Sequence, residues 1–153
     1  MSSKLKIGEH PVHPVLVGFP IAFYTSTSVL YLGYCINNSI FWYRMGRVAN
    51  LAGISMAAIA AVPGFLDWLD IPSDANAKRV GFFHMIFNVA ALGLFGAGFL
   101  FQKNHWDKPS NVGLSTGLCI SGFIVTCIAG YLGGSLIQKY HIGIDKNEES
   151  IKL

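Results

Sequence analysis

Charged residues are scarce in this chain. Only 12% of its 153 residues are Asp, Glu, Lys or Arg, whereas a soluble domain carries about 25%. Apolar residues make up 52% of the chain. The shortage of charge excludes an ordinary soluble domain and indicates a protein whose surface faces lipid.

Cysteine is also scarce, and no cysteine motif is present. The three cysteines are Cys35, Cys119 and Cys127, and no pair of them forms a CxxC or CxxCH pattern. This excludes covalent c-type haem attachment and a paired-cysteine metal knuckle. We interpret the three as small apolar packing residues. The net charge of +3 comes with no basic patch, so nucleic-acid binding is not expected.

Four long apolar runs dominate the rest of the sequence. They cover about residues 15–36, 46–69, 82–101 and 113–137, and Arg47 and Asp67 are the only charged residues inside them. Each run reaches the roughly 20 residues that a helix needs to cross a bilayer. The sequence therefore predicts an all-α integral membrane four-helix bundle, with residues 1–153 as one domain. The first run is longer than the roughly 15-residue apolar core of a signal peptide, so we expect it to be retained. No internal repeat is evident.

Small residues recur every four positions on two of the runs. They are Gly53, Ala57 and Ala61 on the second run, and Gly113, Gly117 and Ser121 on the fourth. Such spacing is typical of helix faces that pack closely in membranes. We therefore expect both stripes to lie at helix–helix contacts.

The predicted topology gathers the histidines. Four spans put both termini and the central connection on one membrane surface, which we call face A; the opposite surface is face B. Four of the five histidines, and the one acidic residue within a run, fall at face A, namely His10, His13, Asp67, His84 and His141. This convergence predicts a functional site at face A.

The stretch "HPVHP" at residues 10–14 opens the first run. A residue before proline is biased towards extended backbone, and proline is well tolerated at the first helical position. We therefore expect Pro14 to begin the first helix, with His13 near the N-cap and His10 extended. Such a segment would hold both rings stiffly.

Two other polar residues accompany these histidines. Asn88 follows His84 by four positions, so the two share a helix face. An amide inside an apolar run needs a hydrogen-bond partner. Asp67 could orient an imidazole, or it could simply lie at the interface beside Trp68.

The pattern suits two kinds of site. Haem b is ligated by imidazoles from two helices, with the porphyrin housed in an apolar bundle; a His/carboxylate metal centre is the second possibility. We predict haem b with His13 and His84 as axial ligands, because the first and third spans run parallel and begin at the same depth. His10 and His141 would be supporting or alternative ligands, and Asp67 and Asn88 would lie around the site. The non-redox alternative is an accessory or assembly subunit of a larger membrane complex.

Several segments resemble a known family. "HPVHPVLVGFPIAF", "GFLDW", "FFHMIFN" and "GYLGGSLIQKYHIGID" are similar to an uncharacterised bacterial family of predicted four-helix membrane proteins. Members are sometimes fused to, or encoded beside, Rieske or cytochrome c modules. The resemblance implies a redox setting and points to His10, His13, Asp67 and His84. Many relatives carry a histidine directly after the double glycine, where this chain has Ser135.

Charge and setting give further expectations. Face A receives seven Lys and Arg residues and face B receives four, so the positive-inside rule favours a cytoplasmic face A. We expect a bacterial inner-membrane subunit, rather than a stand-alone enzyme. Its partners would be the lipid bilayer and a larger redox complex, a Rieske or cytochrome c protein, or a quinone.

Overall fold

Five helices and a short ribbon form the structure, a computed structural model that describes residues 5–8, 10–73 and 75–142. The helices are α1 (Val12–Leu16), α2 (Gly18–Asn37), α3 (Ile40–Asp70), α4 (Asn76–Gln102) and α5 (Val112–Gln138). An antiparallel pair, β1 (Lys6–Ile7) and β2 (His10–Pro11), precedes them. Four stretches are long and apolar enough to cross a membrane: α1 with α2, α3, α4 and α5. The predicted all-α membrane protein with four spans is confirmed.

The helices extend beyond the hydropathy boundaries. The connection between α2 and α3 consists of Asn38 and Ser39 alone, whereas the predicted apolar runs leave residues 37–45 between them. Asn38 adopts a left-handed backbone with φ 54°, which Asn tolerates better than most residues. The Asn37 side chain accepts a hydrogen bond from the Ser39 amide at 2.9 Å. Hydropathy marks the lipid-crossing length, and α3 begins before it, at Ile40 on the face-B side, so that Arg44 is part of the helix.

The first span is interrupted near its start. Helix α1 ends at Leu16 and α2 begins at Gly18. Pro20 has no amide hydrogen to donate to the Leu16 carbonyl, which weakens the helix there. His10 is extended in β2, as expected, but His13 is the second residue of α1 and the N-cap is Pro11. The prediction that Pro14 begins the first helix is therefore wrong, because α1 begins two residues earlier, at Val12; His13 lies near the N-cap, but inside the helix.

The bundle consists of two helical hairpins. Helix α2 packs most extensively on α3, and α4 on α5, with smaller contacts between α2 and α5 and between α3 and α4. We call α1–α3 hairpin 1 and α4–α5 hairpin 2. Gly53 lies at a helix contact as expected, with no room for a Cβ beside Tyr24. The second small-residue stripe is wrong: a Cβ on Gly113 or Gly117 would meet nothing within 4 Å.

The two hairpins repeat the same pattern of buried positions. Four of the five buried α2 residues have a buried α4 residue 71 positions later: 20/91, 24/95, 27/98 and 31/102. Six of the seven buried α3 residues have a buried α5 residue 69 positions later: 43/112, 46/115, 47/116, 50/119, 53/122 and 60/129. Although no repeat is evident in the sequence, the structure is an internal duplication of one hairpin.

Equivalent residues of the two hairpins meet at the centre of the bundle. Tyr24 stacks on Phe95 with ring centroids 3.7 Å apart and planes 2° apart, and these residues occupy matching positions. Each ring also covers a matching glycine, Gly53 under Tyr24 and Gly122 under Phe95. Contacts between equivalent residues are typical of a two-fold interface. Because the hairpins have the same orientation, the pseudo-two-fold axis lies along the membrane normal.

Candidate functional site: a cavity with two histidines

A cavity of about 310 Å³ lies in the face-A half of the bundle. All four spans line it, and its wall is mainly apolar. Small side chains on α3 and α5 leave space for the cavity. They belong to Ala57, Ala60, Ala61, Gly64, Gly130, Gly133 and Gly134. The stacked rings of Tyr24 and Phe95 lie below the histidines, on the side towards face B. An apolar cavity into which a few polar groups converge is typical of a cofactor site.

His13 is fixed in this cavity by α3. Its Nδ1 lies 2.9 Å from the carbonyl oxygen of Ala60. A Cβ placed on Gly64, one turn further along α3, would lie 2.6 Å from the Cε1 atom of the His13 ring. The ring is therefore held by a hydrogen bond and seated over a position that only glycine leaves open.

His84 is fixed in the same way by α5. Its Nδ1 lies 2.8 Å from the carbonyl oxygen of Ala129, and a Cβ on Gly133 would lie 2.9 Å from its Cε1 atom. Ala60 and Ala129 are matching positions of the two hairpins, as are Gly64 and Gly133. Histidine, carbonyl and glycine thus form one arrangement that occurs twice.

The two rings, one from each hairpin, lie next to each other in the cavity. Their centroids are 6.4 Å apart and their planes make an angle of 84°. A carbonyl oxygen can only accept, so each Nδ1 carries the hydrogen in these bonds. In the neutral imidazole that leaves Nε2 with a lone pair. The cavity therefore holds two oriented imidazoles, each with one nitrogen able to bind a metal.

Asn88 lies against the His84 ring. Its amide nitrogen is 2.8 Å from the His84 carbonyl oxygen, 3.2 Å from Nε2 and 3.4 Å from Nδ1. The amide nitrogen carries two hydrogens, so it can donate one to the His84 carbonyl and the other to the Nε2 lone pair. A metal on His84 Nε2 would take the place of that second hydrogen bond.

The remaining predicted site residues divide into two groups. Asp67 lines the cavity. His10 is exposed on β2 and His141 is exposed after α5, and neither lines the cavity. The structure thus brings together His13, His84, Asp67 and Asn88. Among the described residues no group of three or more His, Cys, Asp and Glu side chains could hold a metal ion.

The residues that position the histidines were missed by sequence reasoning. Ala60, Gly64, Ala129 and Gly133 carry no functional group, and they act through a carbonyl oxygen or a missing Cβ. The only available signal was the matched spacing of His, Ala and Gly in the two halves. Single-residue chemistry gives no reason to look for that spacing.

Comparison with known proteins shows which family the chain belongs to. The family model described as "Predicted membrane protein (DUF2231)" matches residues 9–146. The chain belongs to this family. The match agrees with the resemblance seen in the sequence to predicted membrane proteins. For this DUF2231 protein, no curated protein and no solved structure gives a match.

Proposed function

We propose that this DUF2231 protein is a small membrane electron-transfer subunit that binds one haem b between His13 and His84. The observation that carries the proposal is the opposed imidazole pair, with centroids 6.4 Å apart and both Nδ1 atoms on backbone carbonyls. With about 2 Å from metal to nitrogen and about 1 Å from nitrogen to ring centre, two imidazoles on one metal have centroids about 6 Å apart. The observed spacing fits such a pair.

The number of ligands favours haem over a bare metal ion. A structural zinc site takes four protein ligands and a catalytic one takes three, whereas the cavity brings together two imidazoles. Haem supplies four nitrogens of its own and needs only two axial ligands from the protein. The apolar wall suits a porphyrin. When bound, haem would supply one-electron chemistry; the protein supplies the ligands and their orientation.

The protein's own groups would tune that chemistry. A carbonyl that accepts from Nδ1–H increases the basicity of the metal-binding nitrogen, and both histidines have one. Asp67 would place a carboxylate at one side of the cavity, and Asn88 lies within hydrogen-bond distance of the His84 ring. His10 and His141 lie too far out on the surface to line the cavity, so we assign them no axial role.

A partner is required because one redox site near face A cannot carry electrons across the bilayer. A quinone, a Rieske protein or a cytochrome c would be suitable by the resemblance of the sequence to redox-associated relatives. The proposed setting is a bacterial inner membrane, by the resemblance to the bacterial family, with face A in the cytoplasm because it carries more Lys and Arg residues. In all of these settings the protein acts as a component of a larger redox complex.

The test is a reduced-minus-oxidised visible spectrum of the purified protein expressed with ample haem. A b-type spectrum is expected from the unmodified chain and should be lost in His13→Ala and in His84→Ala. His10→Ala and His141→Ala are matched controls and should keep it. Protein without haem would contradict the proposal and favour an accessory subunit. A spectrum retained in either axial variant would contradict the ligand assignment.

A further inference from the structure

Two pairs of neighbouring helices bound the cavity, α3 with α4 and α5 with α2, and the pseudo-symmetry relates one pair to the other. Matching residues of α3 and α5 are 69 positions apart, so Phe65 and Trp68 correspond to Gly134 and Ile137. All four residues line the cavity. Where one boundary carries two aromatic rings, the other carries a glycine and an isoleucine, so the two boundaries are filled differently.

The boundary between α3 and α4 is filled near face A by the Trp68 ring. Its Nε1 donates to the carbonyl oxygen of Lys78 at 3.1 Å, and a Cβ on Gly81 would lie 2.8 Å from its Cδ1 atom. The rings of Phe65 and Phe82 flank it, with centroids 5.9 and 6.3 Å away. Aromatic side chains therefore close the cavity on this side.

Helices α2 and α5 are held together in the face-B half of the bundle. The Ser28 hydroxyl donates to the Cys119 carbonyl oxygen at 3.3 Å, and the Cys35 Sγ lies 3.5 Å from the Thr116 Oγ1. Thr116 and Cys119 belong to the first third of α5, the part that begins at face B. The side of α5 that carries Thr116 therefore faces α2.

Two glycines continue this side of α5 towards face A. Gly134 follows Thr116 by 18 residues, about five turns of helix, and Gly130 lies one turn before it. A Cβ on either glycine would meet nothing within 4 Å, and Gly130 is exposed. On α2, Ile21 lines the same cavity and is 42% exposed. These positions lie inside the spans, so the exposure is to lipid; we call this opening the α2–α5 gap.

The α2–α5 gap leads to His84. The imidazole is held by the Ala129 carbonyl at 2.8 Å and lies over Gly133. Those two residues come directly before Gly130 and Gly134 in α5. A molecule in the gap would have to come from the lipid, and glycines let a flat ring approach the backbone closely. The entrance therefore suits a lipid-soluble molecule with a flat ring, and it is too deep in the membrane for a soluble protein.

We propose that a quinol enters from the lipid through the α2–α5 gap, lies against His84 and gives its electrons to the haem. The inference rests on the proposed haem site and names its electron donor. A quinol releases two electrons and two protons when it becomes a quinone, so one quinol reduces the ferric haems of two protein molecules. The protons pass to the water at face A, since the cavity lies in that half of the bundle.

The test closes the gap with the residue that the other boundary already has. Gly134→Phe gives hairpin 2 the side chain that hairpin 1 carries at position 65. Reduction of the haem-loaded protein by a short-chain quinol, followed by its visible absorbance, should slow by about tenfold, which corresponds to a barrier raised by about 1.4 kcal/mol. Dithionite, which is soluble in water, should still reduce the variant completely. Gly130→Phe is a second closing variant, should Gly134→Phe lose its haem.

Gly117→Phe is the matched control. Gly117 lies on the same helix, a Cβ there also meets nothing within 4 Å, and the residue does not line the cavity. Its haem should be reduced by the quinol at the rate of the unmodified protein. Equal rates in the unmodified protein and in both closing variants would overturn the inference.

A photoreactive azido-quinone provides a readout that does not depend on electron transfer. On illumination it should label peptides of α2 and α5 in the unmodified protein, and the labelling should be lost in Gly134→Phe. Label on α3 and α4 instead would overturn the inference. Haem-loaded protein that the quinol does not reduce would also overturn it and would leave the haem site standing, whereas protein without haem would overturn both.

Discussion

Hairpin 1 and hairpin 2 hold a histidine in the same arrangement, but they differ in the other side chains that line the cavity. Both present a histidine held by an alanine carbonyl and seated over a glycine. The cavity positions beside them do not match: Asp67 corresponds to Leu136, and Asn88 corresponds to Val17. The two proposed ligands, His13 and His84, are therefore related by the pseudo-symmetry. The polar residues beside them, Asp67 and Asn88, are not. In the proposed haem site, the matching positions would supply the two ligands, and the positions that differ would tune the properties of the bound haem.

The largest expected effect comes from filling the space under either imidazole. Gly64→Ala would put a Cβ 2.6 Å from the His13 ring, and Gly133→Ala one 2.9 Å from the His84 ring. Each ring would have to leave its carbonyl, so the affinity for haem should fall by at least about fivefold, since displacing one buried hydrogen-bonded group costs roughly 1 kcal/mol or more. The haem-to-protein ratio of the purified variants measures this.

Gly134→Ala is the control for both substitutions. Gly134 also lines the cavity, but a Cβ there meets nothing within 4 Å. Equal loss in all three variants would show that the effect is not steric. Loss in only one of the first two would show that the hairpins are not equivalent.

The next effect concerns the stacked pair at the centre. Gly53→Ala would place a Cβ 2.8 Å from the Tyr24 ring, and Gly122→Ala one 2.8 Å from the Phe95 ring. Overpacking of this kind costs about 1–3 kcal/mol. Both variants should lower the free energy of unfolding by similar amounts in a detergent titration. Gly117→Ala is the control: its Cβ would meet nothing within 4 Å, so the free energy of unfolding should not fall.

A smaller effect should follow from making the two sides of the cavity alike. Asp67→Leu gives hairpin 1 the residue that hairpin 2 has at position 136. Loss of a carboxylate near the haem removes stabilisation of the ferric form, so the midpoint potential should rise, on the order of tens of millivolts. A redox titration measures it. An unchanged or lowered midpoint potential would show that the Asp67 carboxylate does not stabilise the ferric haem.

The smallest effect is expected at the stack itself. Tyr24→Phe makes the pair identical to its partner Phe95 and removes a hydroxyl that has no hydrogen-bond partner. The protein should be equally stable or more stable by up to about 1 kcal/mol, since an unsatisfied buried polar group is costly. Thermal unfolding in detergent reports the change. A clear loss of stability would mean that the hydroxyl has a partner in the protein as it exists.

Much of the fold could be predicted from hydropathy, because lipid imposes about 20 apolar residues per span. The positions of the helix ends could not, since α3 begins at Ile40, before the apolar run, and includes the charged Arg44. The proximity of His13 and His84 followed from counting spans. The way in which the two imidazole rings are held could not be predicted, because Gly64 and Gly133 act through the absence of a Cβ.

Arg47 shows the same limit in a different way. In the sequence it sits at the edge of an apolar run and is typical of an interfacial anchor. In the structure it is 5% exposed, inside the bundle and surrounded by aromatic rings. Its depth depends on the length of α3 and on the rings of α4 and the following loop, which hydropathy does not describe.

The central claim is that two nearly perpendicular imidazoles bind one haem. Low-temperature electron paramagnetic resonance of the oxidised protein tests it most directly, because the spectrum of a low-spin ferric haem depends on the angle between its axial ligand planes. With planes at 84°, the account predicts a low-spin signal dominated by a single large g value. A high-spin ferric signal would show that one of the two histidines is not a ligand and would contradict the account.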